Sequence, residues 1–89
     1  VIDEFRLHDN YPNPFNPTTR IKYQLPKTID VQLNIYNIWG EKVTTLVAEN
    51  QKAGDYSVTW NASGFASGIY FYQLHAGNFI ETKKMIFMK

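Results

Sequence analysis

The feature that most limits how this chain can fold is the alternation of apolar and polar side chains along much of its length. Apolar residues occupy every second position in four clear segments, which are residues 5–7, 21–25, 31–35 and 56–60. An alternation with period two is typical of a β-strand with one buried face. Because no window shows the spacing of an amphipathic helix, the sequence predicts an all-β protein.

Three further segments complete the predicted set of strands. Residues 41–49 are rich in β-branched side chains, residues 69–72 are apolar on both faces, and residues 79–88 form the last apolar run. The run at 69–72 predicts a central strand, and the residues at 37–40 and 76–78 predict hairpin turns. Turn residues recur roughly every eight to twelve positions, so the sequence predicts an immunoglobulin-like antiparallel β-sandwich of about seven strands.

Composition narrows the class of protein. The chain has 89 residues, a net charge of +1 and no cysteine. The missing cysteine excludes disulfides and thiolate chemistry, and the even charge balance predicts no nucleic-acid partner. No apolar run approaches the roughly 20 residues of a transmembrane helix, so we expect no membrane insertion.

We expect one domain over residues 1–89, in which residues 1–8 form a first strand or a linker to a parent protein. The chain starts Val-Ile-Asp-Glu, without an initiator methionine or a signal peptide. We therefore interpret it as a piece of a longer protein.

A tyrosine corner is one interpretation of the Gly-x-Tyr-x-Tyr pattern at 68–72. In antibody-type sandwiches a conserved tyrosine precedes the second core cysteine by two residues. Tyr70 would be the corner tyrosine, Tyr72 would take the place of that cysteine, and Trp60 would pack beneath them. The alternative is that these are simply aromatic side chains of a buried strand.

The sequence offers little support for catalysis or metal binding. The two histidines, His8 and His75, lie far apart and are predicted to face solvent, and the carboxylates are scattered. No serine has the context of a nucleophile elbow, and no glycine-rich loop could cradle a phosphate. We expect no catalytic residue, no cofactor and no metal site, with a calcium site near Asp55 and Asn61 as the alternative.

Trp39 stands outside the alternation, at the tip of a predicted hairpin. An exposed tryptophan can anchor a partner or stack against a sugar. The alternative is that Trp39 folds back over the sheet.

The segment 10–19 is rich in proline, with X-Pro steps at Pro12, Pro14 and Pro17. Proline prevents a helix and cannot donate to a strand ladder. We expect a stiff, kinked crossover that pins the Tyr11 and Phe15 rings onto the sheet. A recognition role for this surface is the alternative.

The tail, residues 81–89, has a charged half followed by an apolar half and a final lysine. The simplest interpretation is a terminal strand whose apolar half completes the core and whose lysines protect a sheet edge. Such an edge is also a surface through which two copies could dimerise.

The ordered set of motifs resembles a known family. The motifs are Tyr-Pro-Asn-Pro-Phe-Asn-Pro-Thr-Thr at 11–19, Ile-Tyr-Asn-Ile-Trp-Gly at 35–40, Gly-Asp-Tyr at 54–56, Ser-Gly-Ile-Tyr-Phe-Tyr-Gln-Leu at 67–74 and Lys-Lys-Met-Ile at 83–86. Together they resemble the type A C-terminal sorting domain of the bacterial type IX secretion system, over residues 9–89. The middle of the chain also resembles the Ig-like domain of the flagellar hook-capping protein.

The resemblance implies a non-catalytic signal at the end of a secreted or surface protein of Bacteroidetes. Such a domain directs its parent, a catalytic or adhesive protein, from the periplasm across the outer membrane. The implied partners are the outer-membrane translocon and a sortase-like peptidase. The alternative is an accessory carbohydrate-binding, adhesive or spacer module of a secreted enzyme, which would use Trp39 for surface contact.

The resemblance also implies which residues matter. The opening motif covers Tyr11, Pro12, Asn13 and Pro14, and the Gly-x-Tyr motif covers Gly68 and Tyr70. The terminal motif, implied to be read by the translocon or the sortase, covers Lys83, Lys84, Met85, Ile86, Phe87, Met88 and Lys89. We expect the unpaired edge of this last strand to bind a receptor strand, with Lys83 and Lys84 supplying attractive charge.

Overall fold

The computed structural model describes residues 4–89 and contains seven strands in two antiparallel sheets. No helix occurs within this range. The strands are β1 (Arg6–Leu7), β2 (Thr18–Leu25), β3 (Ile29–Tyr36), β4 (Lys42–Gln51), β5 (Gly54–Asn61), β6 (Gly68–Ala76) and β7 (Phe79–Phe87). The prediction of an immunoglobulin-like β-sandwich of about seven strands is confirmed.

The two sheets differ in size and in the strands that form their edges. One sheet has three strands in the order β1-β2-β5, and the other has four in the order β4-β3-β6-β7. Strand β6 lies between β3 and β7, as its two apolar faces predict. The tail strand β7 is an edge strand of the larger sheet.

The core lies between the sheets, where the apolar side of each alternation meets its counterpart. The completely buried side chains include Ile21 and Leu25 from β2, Leu33 and Ile35 from β3, and Leu74 from β6. Each fully buried side chain of this size stabilises the fold by about 1.5–3 kcal/mol relative to an exposed one. Burial of this kind holds together a domain that has no disulfide.

The tyrosine corner is confirmed by its hydrogen bond. The Tyr70 hydroxyl donates to the Ala66 carbonyl oxygen at 2.5 Å, four residues upstream. The Trp60 ring packs edge-on against Tyr70 with centroids 5.3 Å apart. The aromatic pair therefore fixes the loop between β5 and β6 onto the core.

The hairpin between β6 and β7 depends on Gly77. Its φ of +61° lies in the left-handed region, and a Cβ at this position would lie 2.6 Å from Ile29 Cδ1. A residue with a side chain would strain the turn and displace the end of the Ile29 side chain, so glycine suits this position. The two-residue turn sets the β6–β7 register, which places Gly68 opposite Phe87.

The predicted first strand is shorter than its alternation suggests. Among the described residues the strand itself consists of Arg6 and Leu7, which pair with β2. Phe5 is half-buried and its ring stacks on that of Phe79, with centroids 5.1 Å apart. Residues 1–3, which also belong to the predicted segment 1–8, lie outside the described residues.

Candidate functional site

The proline-rich segment lies along the outer edge of the tail strand. The Phe15 amide donates to the Ile86 carbonyl oxygen at 3.0 Å, and the Met88 amide donates to the Phe15 carbonyl oxygen at 3.0 Å. The Asn13 Oδ1 atom accepts a hydrogen bond from the Ile86 amide, also at 3.0 Å. We call residues 13–15 the edge clasp, because they occupy backbone groups that the edge of β7 would otherwise expose.

Side-chain packing reinforces the edge clasp. The Phe15 ring is 2% exposed and stacks on Phe87 with centroids 5.3 Å apart. It also lies 5.8 Å from the Trp60 ring. The clasp therefore joins the end of the chain to both sheets through one buried ring.

The prediction that the segment pins both Tyr11 and Phe15 is wrong for Tyr11, whose side chain is 80% exposed. The backbone explains the difference. Tyr11 exchanges two 2.9 Å hydrogen bonds with Arg20, and residues paired across antiparallel strands place their side chains on the same face. Because Arg20 faces solvent, Tyr11 does too.

The start of the proline-rich segment is held by a buried polar network that was not among the predictions from sequence. Asn10 Nδ2 donates to Thr19 Oγ1 at 2.9 Å, and Thr19 Oγ1 donates to the Pro12 carbonyl oxygen at 2.9 Å. Thr19 is 2% exposed, on the apolar side of the β2 alternation. A buried hydroxyl needs a hydrogen-bond partner. The threonine at a core position of the β2 alternation was therefore a signal of this network in the sequence.

The Gly-x-Tyr motif lies directly beside the tail strand. In the β6–β7 ladder Gly68 faces Phe87 and Tyr70 faces Met85. Met85 and Phe87 are almost completely buried. The structure thus brings the opening motif, the Gly-x-Tyr motif and the terminal motif together at one end of the sandwich.

The two neighbouring lysines of the tail have different surroundings. Lys83 points to the same side as Met85 and forms ion pairs with Asp9 at 3.2 Å and Glu81 at 3.6 Å. The hydrogen bond with Asp9 raises the pKa of the Lys83 ammonium group. Lys84 lies on the outer face of the sheet and is exposed, so it is the lysine of the pair that remains open to a partner.

Part of the β7 edge remains open. Ile86 and Met88 direct backbone groups outward, toward the edge clasp. Because alternate residues of an antiparallel strand bond to the same side, Ile80, Thr82 and Lys84 direct theirs outward as well. These three residues have no backbone partner on that side among residues 4–89.

Trp39 does not fold back over the sheet, since its side chain is 81% exposed. The predicted hairpin is present, with Gly40 at φ +80° and the Asn37 Oδ1 atom accepting from the Trp39 amide at 2.9 Å. Tyr36 of β3 is paired with Phe71 of β6, and Phe71 is paired with Lys84 of β7. Trp39 therefore projects from the same end of the larger sheet as the tail, two strands away.

The described part of the chain has little that resembles an active site. No group of three or more histidine, aspartate or glutamate residues comes together within it as a metal site would require. Both His8 and His75 are exposed. An open groove of about 730 Å³ runs over the smaller sheet between Tyr11, Arg20, Lys22 and Thr59. Within residues 4–89 no helix is long and apolar enough to cross a membrane.

Fold and site together define a small β-sandwich module whose three motifs meet at its last strand. A family model described as "Secretion system C-terminal sorting domain" matches residues 9–88. The chain belongs to this family. No curated protein and no solved structure matched the chain.

Membership of the family gives the chain its broad role. The domain is a C-terminal sorting signal for type IX secretion, a system of Bacteroidetes. Its parent protein is secreted or attached to the cell surface. Domains of this family are not themselves catalytic.

Proposed function

We propose that this domain directs its parent protein from the periplasm across the bacterial outer membrane by presenting the tail strand to the type IX translocon. The observation that carries the proposal is the convergence of the three motifs on β7. The domain itself performs no chemistry in this scheme. A sortase-like peptidase would act on the exported protein afterwards.

The proposed recognition surface is the open stretch of the β7 edge. Thr82 and Lys84 offer unpaired backbone donors and acceptors, which a receptor strand can extend by β-augmentation. The exposed Lys84 ammonium group adds an attraction for an acidic receptor surface. The other residues of the terminal motif, from Met85 to Lys89, hold this edge in place through core packing and the edge clasp.

The edge clasp gives the proposed signal a defined end. Asn13 and Phe15 occupy the outward groups of Ile86 and Met88. A receptor strand would therefore meet three free positions, at Ile80, Thr82 and Lys84, and then the clasp, rather than a uniform edge. This combination is more specific than an exposed strand alone, because any sheet edge can pair with extended backbone.

We propose that residues 1–89 form one sorting domain, with residues 1–8 leading from the parent protein. We further propose that the Ig-like domain of the flagellar hook-capping protein is a structural relative. The exposed Trp39 side chain would add a second contact with the receptor at the same end of the sandwich. The alternative of a carbohydrate-binding, adhesive or spacer module is not favoured, because the family match accounts for nearly the whole chain.

A proline substitution on the open edge tests the proposal. Lys84→Pro removes an outward amide and leaves the hydrogen bonds to β6 in place, so we expect a folded domain that is no longer exported. Lys84→Ala removes the charge but keeps the amide, and we expect reduced export. The measurement is the exported fraction of a fusion carrying residues 1–89.

Two controls accompany this experiment. Circular dichroism verifies the fold of each variant, and Thr82→Pro replaces Lys84→Pro if the latter unfolds. Lys27→Ala removes an exposed charge far from the tail and should leave export unchanged. A folded Lys84→Pro domain that is exported as well as the natural sequence would refute the proposed recognition surface.

A further inference from the structure

Strand β5 presents a second open edge, on the smaller sheet. The backbone groups of Arg20 bond to Tyr11, and the Lys22 carbonyl oxygen accepts from His8. Successive residues of an antiparallel strand bond to opposite sides. The alternate residues of β2, which are Thr19, Ile21 and Tyr23, therefore bond to β5. Their partners are the inward-facing residues of that strand, namely Tyr56, Val58 and Trp60.

The other residues of β5 direct their backbone groups to solvent. They are Asp55, Ser57, Thr59 and Asn61, and all four side chains are exposed. None of these outward amides or carbonyl oxygens has a backbone partner in the part of the chain described here. The edge therefore offers four donors and four acceptors in a regular row.

The β5 edge lacks the protection that the other long edges have. Strand β4 is interrupted by register shifts opposite Leu33/Asn34 and Ile35/Tyr36. Strand β7 has the edge clasp and the inward Lys83. Strand β5 pairs with β2 in one unbroken register, and its sequence has no proline, no lysine and no bulge. Unprotected edges of this kind are templates for pairing with another chain.

The sequence of β5 is complementary to itself. In an antiparallel pair of two β5 strands centred on Val58, Asp55 faces Asn61 of the second copy and Ser57 faces Thr59. Only this register pairs all four outward residues, and each facing pair exchanges two hydrogen bonds. No charge meets a like charge in it, and hydroxyl side chains lie opposite each other, which is a favourable cross-strand pairing.

We propose that a second copy of this chain binds along β5 and joins the two smaller sheets into one continuous sheet of six strands. The self-complementary register favours a second copy over an unrelated strand. The contact is one strand long, below the roughly 1,200 Å² that stable interfaces bury, so the dimer is weak and reversible. Because it uses β5 rather than β7, dimerisation leaves the proposed sorting surface free and does not depend on it.

Sedimentation equilibrium of the 89-residue chain over micromolar to millimolar concentrations tests this inference. We expect a monomer–dimer equilibrium for the natural sequence. Ser57→Glu with Thr59→Glu places like charges opposite each other across the dimer, and should weaken dimerisation about tenfold. Within one chain the new carboxylates lie opposite Lys22 and Arg20, so the monomer should stay folded.

A charge-complementary variant tests the register itself. Ser57→Glu with Thr59→Lys places opposite charges across the dimer and should restore association. Thr28→Glu with Asn78→Glu adds the same charge at exposed loop positions away from β5 and should leave association unchanged. A natural chain that stays monomeric at millimolar concentration would overturn the inference. So would a Glu/Glu variant that dimerises normally, or a Glu/Lys variant that does not dimerise.

Discussion

Gly68 shows how a motif residue can act through its backbone alone. Its φ is +149°, a conformation that residues with a Cβ rarely adopt, yet a Cβ at this position would meet no atom within 4 Å. The requirement is therefore conformational and not steric. Gly68 lets the chain turn into β6 at the point where Tyr70 must reach Ala66.

Gly68→Ala should therefore lower the free energy of unfolding by about 1–3 kcal/mol, the usual cost of a strained backbone conformation. Gly64→Ala is the matched control, since Gly64 also has open space around it but no positive φ. Its effect should stay within about 0.5 kcal/mol. Urea denaturation measures both, and equal effects would contradict the conformational explanation.

The buried tyrosine hydroxyls make stability depend on pH at the alkaline end. Burial raises the pKa of both Tyr23 and Tyr72 to about 12, from an ordinary value of 10.0. Tyr23 donates to Gln51 Oε1 at 2.6 Å and Tyr72 donates to the His8 carbonyl oxygen at 2.8 Å. In the unfolded chain both phenols lose their protons near pH 10, whereas in the fold they keep them.

The stabilisation from these two groups is therefore complete below about pH 10 and should be lost as the pH rises from 10 to 12. The midpoint of urea denaturation should fall across that interval. In a pH titration of the folded domain, a late component of the phenolate absorbance should appear only near pH 12 or when the domain unfolds. Tyr72→Phe should remove part of that component, and an unchanged late component would contradict the assignment.

At the scale of elements, β7 depends on a segment about seventy positions earlier in the chain. The Asn13 side chain supplies the acceptor for the Ile86 amide, and the Phe15 backbone continues the pairing in parallel. This proline-rich segment covers the edge of β7. Because proline has no amide hydrogen, the segment cannot itself be extended by a further strand.

Asn13→Ala should free the Ile86 amide and lower the free energy of unfolding by about 0.5–1.5 kcal/mol, the net value of one hydrogen bond. Asn16→Ala is the matched control, because Asn16 is also exposed and also precedes a proline. Hydrogen exchange should accelerate at Ile86 in the first variant and not in the second. Unchanged exchange at Ile86 would mean that the Asn13 side chain does not close this edge.

Sequence patterns predicted the elements well and their long-range contacts poorly. The alternation at β2, β3 and β5 identifies each buried face, because side-chain direction in a strand is a local property. The contact between Asn13 and Ile86 joins segments far apart, and no local pattern specifies it. Tyr11 failed for a related reason, since its direction follows from pairing with Arg20 rather than from its own apolar character.

At the scale of the whole molecule, the proposed sorting signal and the fold share residues. Met85 and Phe87 belong to the terminal motif and also to the core, where they are 0% and 1% exposed. Deleting residues 83–89 would remove both side chains and unfold the domain. Loss of export after such a deletion would not separate recognition from folding.

The most direct measurement is therefore export of an intact domain in two hosts. Residues 1–89 are fused behind a signal peptide and a fluorescent protein, in a bacterium with the type IX system and in the same strain without its translocon. We expect fluorescence in the medium or on the surface of the first host, and in the periplasm of the second. A folded fusion that stays in the periplasm of both hosts would refute a role of this domain in export.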